Sequence, residues 1–173
     1  MTPFTVFSAN GRLEYKHFEP FVVSVSGEFD RNLAWNAQNI DNAGPSPNAA
    51  NNYNPALTQG AVNNVNGTTG AYQGANNAWI LQAKIGSGAL QKRWDWDFGV
   101  SYRHVESDAF IDGFADSDFS GPLAGTNLKG WAIGGNLALS KNVFIGARWF
   151  NATTIAGEQI NVNTLQLDLN ARF

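Results

Sequence analysis

The chain contains no cysteine, which excludes disulfide scaffolds, thiolate metal sites and cysteine nucleophiles. Charge is scarce: 14% of positions are charged, against about 25% in an average globular chain. The net charge of -3 and a pI of 5.2 leave no basic footprint for nucleic acid. Two histidines and one methionine offer little to a metal centre, and His17 and His104 have no ligand-spaced companions. No apolar run approaches the roughly 18 residues of a membrane-spanning helix. Nucleophile-elbow, phosphate-loop and dinucleotide fingerprints are all missing, so neither catalysis nor a cofactor is expected. The opening Met1-Thr2-Pro3-Phe4-Thr5 lacks the charged and apolar regions of an export signal.

What is present is aromatic and glycine-rich: 6 Trp, 4 Tyr, 12 Phe and 18 Gly in 173 residues, with 43% hydrophobic positions. That is too aromatic for disorder and long enough for one domain. Leu165 to Phe173 alternates apolar and polar without a miss. A strand puts successive side chains on opposite faces, so one face carries Leu165, Leu167, Leu169, Ala171 and Phe173. The same period of two predicts seven strands, at about 5–18, 20–32, 77–87, 93–107, 128–140, 143–154 and 161–173. The fold class is therefore all-β, an antiparallel meander.

Alternation of this kind serves two architectures. A soluble barrel points the apolar face inward, whereas a transmembrane β-barrel points it at lipid and lines a wet lumen with the other face. Aromatics near strand ends (Trp79, Trp94, Trp96, Trp131, Trp149, Phe173) favour the second. So do the connections, which alternate short (17–20, 86–93, 140–142) and longer (33–76, 108–127, 155–160). All the longer ones fall at one end, as in outer-membrane barrels. Complete bacterial barrels have even strand numbers. The expectation is a fragment of a larger barrel, its export signal lost by truncation and its open edge prone to misassembly; the alternative is one further strand within 33–76.

The lumen face is predicted to carry Arg12, Glu14, Lys16, Glu28, Asp30, Lys84, Asp95, Asp97, Arg103, Arg148, Asp168 and Arg172, six basic and six acidic residues. Opposed charge rows tune ion preference, but an even tally predicts weak selectivity. The same residues also suit cross-strand pairing. Residues 33–76 hold 11 Asn and a single charge, Asp41, and read as a long loop, either solvated or folded into a pore mouth. Glu106, Asp108, Asp112, Asp116 and Asp118 form an acidic segment. It reads first as a solvated loop and second as a cation-attracting mouth; its spacing makes no EF-hand.

Tyr102-Arg103-His104-Val105-Glu106-Ser107-Asp108-Ala109, Phe114-Ala115-Asp116-Ser117-Asp118-Phe119 and Gly125-Thr126-Asn127-Leu128-Lys129-Gly130-Trp131 resemble the putative porin family of Gram-negative outer membranes. Leu139-Ser140-Lys141-Asn142-Val143 and the closing Asn163 to Phe173 are similar too. The resemblance is strongest over 94–173, looser over 4–32, and departs at Gly121-Pro122-Leu123-Ala124-Gly125. It implies that 1–173 is one region, the C-terminal part of a barrel pore in the cell outer membrane. It further implies an assembly signal at Phe173, with Leu169 and Leu167 behind it, read by the barrel-assembly machinery. Expected partners are outer-membrane lipid, small hydrophilic solutes and further copies of the chain. The favoured function is a passive diffusion channel. The alternatives are a small closed barrel with a structural or adhesive role and a soluble ligand-binding β-barrel.

Overall fold

A computed structural model describes residues 4–36, 73–111, 115–120, 123, 125–157 and 159–172. It contains β1 (Val6–Tyr15), β2 (Phe21–Asn32), β3 (Asn77–Ser87), β4 (Trp96–Val105), one helical turn α1 (Ser117–Ser120), β5 (Leu128–Ser140), β6 (Val143–Thr154) and β7 (Asn161–Ala171). The seven strands form one sheet in sequence order, every neighbouring pair antiparallel. The strands fall where the period of two puts them, with two small differences. β1 ends at Tyr15 and β4 starts at Trp96 rather than 93, because Trp94 adopts a left-handed backbone (φ 74°) that breaks the alternation. Strands of 10 to 13 residues suit the roughly 9–11 tilted residues that cross a bilayer.

The register turns alternation along each strand into rows across the sheet. One row runs Leu13, Val25, Ala83, Val100, Ile133, Trp149 and Leu165 without a polar residue. The next row, on the opposite face, runs Glu14, Ser24, Lys84, Gly99, Gly134, Arg148 and Gln166. The sheet is thus apolar on one side and polar on the other over its whole width.

A single-layer sheet has no second layer to bury its apolar face. Seven apolar residues are buried, whereas 24 large ones are exposed, among the described residues. Leu165, Leu167 and Leu169 are 67%, 73% and 73% exposed, while Gln166 and Asp168 on the polar face are half-buried. A soluble sandwich reverses that order. The small core sits on the polar side: Phe119 of α1 packs on Leu128, Phe150 and Ala152, with Leu123 and Ala132 at its margin.

The turns 16–20, 88–95 and 141–142 lie at one end of the sheet; the strand ends that flank the three longer connections, Asn32, Asn77, Val105, Leu128, Thr154 and Asn161, lie at the other. Position 37–72 of the long loop, Asp112 and Phe173 lie outside the described residues. Among the described residues β1 and β7 are the two sheet edges and do not pair with each other.

Candidate functional site

The polar face is organised as local charge pairs. Arg12 Nη2 on β1 and Lys16 Nζ just past its end both approach the Glu14 carboxylate, at 2.5 and 3.3 Å. Asp30 accepts a hydrogen bond from the Ser8 hydroxyl across the β1–β2 pair. Glu28 stands exposed one turn of the pleat away. In the middle of the sheet Lys84 Nζ lies 3.2 Å from Asp97 Oδ2, and Asn136 Nδ2 donates to Asp97 Oδ1 at 2.9 Å. Arg148 Nη2 lies 3.7 Å from Asp168 Oδ2, whose other oxygen accepts from Gln166 Nε2 at 3.3 Å. Arg172 extends over the Phe144 ring at 5.8 Å.

Asp95 is placed differently from the other eleven. It lies in the turn before β4, and its Oδ2 accepts from the Lys92 and Gln91 amides at 2.7 and 2.9 Å. Those bonds, the Lys92 amide first, hold its carboxyl below the usual range. Its visible role is to fix the turn.

Between Lys84 and Arg148 the wall has no side chains. Gly99 and Gly134 are direct cross-strand partners, so the two cations stand at either side of a floor two glycines wide. A Cβ at Gly134 would meet Arg148 Cγ at 2.7 Å and the Ala147 carbonyl at 2.8 Å, so the Arg148 stem lies directly across that glycine. The floor opens a recess of about 290 Å³ lined also by Asp97, Arg103, Asp116 and Asn136. Its charges are mixed and its cations face carboxylates.

The recess is overhung by the β4–β5 loop. Arg103 Nη1 binds Asp116 Oδ2 at 2.8 Å, and its guanidinium carbon lies 4.4 Å from the centre of the Phe119 ring. Phe119 in turn meets Phe150 edge-on at 6.4 Å and is only 3% exposed. Arg103 is thus clamped between a carboxylate and a ring. Its Nε is buried with no hydrogen-bond partner among the described residues. Asp116 Oδ1 also accepts from the Asp118 amide at 3.1 Å, which starts the turn that aims Phe119 at the wall.

The foot of this loop is stitched to its neighbours by amides. Glu106 Oε2 accepts from the Asn77 amide and side chain at 2.8 and 3.1 Å. Asn32 Nδ2 donates to the Asp108 carbonyl, Thr126 Oγ1 to the Ser107 carbonyl, and Asn127 Nδ2 to the Ala156 carbonyl. The acidic segment is therefore only partly solvated: Glu106 and Asp116 have protein partners, and no three acidic or imidazole groups among the described residues converge on one point. The sequence left 33–76 either solvated or folded into a pore mouth, and 37–72 lie outside the described residues. The described part of the β4–β5 loop lies on the polar face, and its anchor, Phe119, was not singled out. The one available signal was a lone aromatic residue set among Asp116, Asp118 and two serines.

An antiparallel meander, bare and apolar on one side, charged and loop-covered on the other, is sheet of the membrane β-barrel class. The chain belongs to the putative porin family, whose profile matches residues 1–173. No curated protein and no solved structure matches it.

Proposed function

We propose that this chain forms part of the wall of an outer-membrane porin through which small hydrophilic solutes diffuse passively, without catalysis. The carrying observation is the strict separation of faces by register: a seven-residue apolar row backed by a row of Glu14, Lys84, Arg148, Gln166 and small residues. In lipid every backbone polar group needs an internal partner, and a closed barrel supplies it. In this reading further strands complete the pairing of β1 and β7, and the eleven charged positions other than Asp95 face water inside the barrel.

Aromatic residues support the orientation. Trp79, Tyr102 and Trp131 form a contiguous belt near the long loops, with ring separations of 5.5 and 4.8 Å. Phe21 and Trp96 meet at 5.3 Å near the short turns. Such belts sit at the two interfaces of a bilayer. The long loops then face outward and the short turns the periplasm. Loop 106–127, docked through Phe119, narrows the lumen beside the glycine floor. Mixed charge there makes ion preference weak. The barrel-assembly machinery would read the final strand through Phe173, Leu169 and Leu167.

Reconstitution of the full-length protein in planar bilayers tests this directly. Stepwise, voltage-independent conductance at low potential is the expected result. A correctly folded full-length protein with no conductance steps overturns it.

A further inference from the structure

The apolar face is not uniform. Near the short turns a groove of about 750 Å³ runs along it, lined on its rims by Trp96, Phe98, Ile145 and Leu169 and floored by Gly135 and Ala147. Gly135 is confined to its size: a Cβ there would meet the Asp97 carbonyl oxygen at 2.5 Å. Asp97, Asn136 and Asp168 border the groove only through backbone, since their side chains alternate to the other face. The trough is therefore wholly apolar.

Its short-turn end is basic. The β3–β4 turn carries Lys92 and Arg93, and the two-residue β5–β6 turn carries Lys141, all exposed. The one acid of these two turns, Asp95, spends a carboxylate oxygen on the turn's own amides. Among the described residues no carboxylate lies within ion-pair distance of Lys92, Arg93 or Lys141. The Arg93 guanidinium lies over the Trp94 ring at 4.7 Å, which holds one cation beside an interfacial aromatic.

We propose that this groove is a binding site for one anionic glycerophospholipid, its acyl chain along Gly135 and Ala147 and its phosphate against Lys92, Arg93 and Lys141. The charge pattern selects this occupant over a second copy of the chain. A two-fold pairing through the groove would bring the basic turns of both copies together, whereas an anionic headgroup neutralises them. The proposal rests on the membrane reading above.

The test uses the full-length protein in phosphatidylcholine vesicles doped with lipid brominated on one acyl chain, and reads tryptophan fluorescence. Brominated phosphatidylglycerol should quench more strongly than brominated phosphatidylcholine, with an apparent preference on the order of tenfold in low salt. The triple variant Lys92→Gln, Arg93→Gln, Lys141→Gln should bring the preference to within about twofold. Ala147→Phe, which fills the trough without adding a tryptophan, should remove the preferential component while leaving the bulk quenching. Equal quenching by both lipids overturns the site alone, and so does a preference that survives the triple variant. Absence of quenching by either lipid overturns the membrane reading itself.

Discussion

Phe119→Ala should release the loop segment docked on the polar face. Phe119 is 3% exposed and packs against Leu128, Phe150 and Ala152; truncating such a side chain costs about 3–5 kcal/mol. The other fastening is the Arg103–Asp116 pair, in which the Asp116 side chain is 45% exposed, so screening limits it to about 0.2–1 kcal/mol. Since about 1.4 kcal/mol is tenfold in an equilibrium, Phe119→Ala raises the undocked-to-docked ratio by roughly a hundredfold or more, Asp116→Asn by no more than about fivefold. Because residues 1–173 hold no cysteine, Ala132→Cys, at the margin of the Phe119 cluster, supplies a new thiol to report undocking, read against the same protein without it. In full-length protein, labelling of that thiol by a charged, water-soluble reagent should accelerate strongly with Phe119→Ala and slightly with Asp116→Asn. Single-channel conductance should rise in the same order. Unchanged labelling and conductance in a folded Phe119→Ala protein, or equal effects of the two variants, would refute the clamp.

Gly130 has φ 154°, and a Cβ there would sit 1.8 Å from the Asn151 carbonyl oxygen, so Gly130→Ala should break the β5–β6 pairing and abolish the heat-modifiable folded band on cold gels. Reversing two wall charges, Lys84→Glu with Arg148→Glu, should move the zero-current potential in a salt gradient toward cation preference; an unmoved potential would place these residues outside the conducting path. At Asp95 the folded carboxyl titrates below its ordinary value of about 3.9. Its contribution to the turn is therefore complete above that value and lost as pH falls through the lowered one. Amide exchange at Gln91 and Lys92 should stay slow at neutral pH and quicken only in strong acid, whereas Asp95→Asn should make it fast throughout.

Strand positions were legible because a half-exposed strand writes its period into the sequence. β7 is the clearest case, with Leu165, Leu167 and Leu169 set against Gln166 and Asp168. The pairing could then be read from short turns such as Lys141-Asn142, which leaves Ser140 opposite Val143. The docked loop could not be read in this way. Its residues are acidic, and acidic loops are ordinarily solvated; one buried ring decides the matter, and burial of a single Phe has no period. Asp95 was misplaced for a related reason. Alternation continues through Trp94-Asp95-Trp96 in the sequence, but the backbone turns at Trp94, so the carboxylate serves the turn instead of the wall. The amide stitching by Asn32, by Asn127 and by Asn76, whose Nδ2 donates to the Asn32 carbonyl at 2.7 Å, was hidden by the abundance of asparagine, since no count separates a structural amide from a solvated one.

Among the described residues each strand of this sheet pairs only with strands adjacent to it in the chain. Hairpins are therefore interchangeable modules. Insertion or loss of one changes the circumference by two staves and leaves every other seam and crossing as it was. In the proposed barrel, such a change resizes the bore without rerouting the polypeptide.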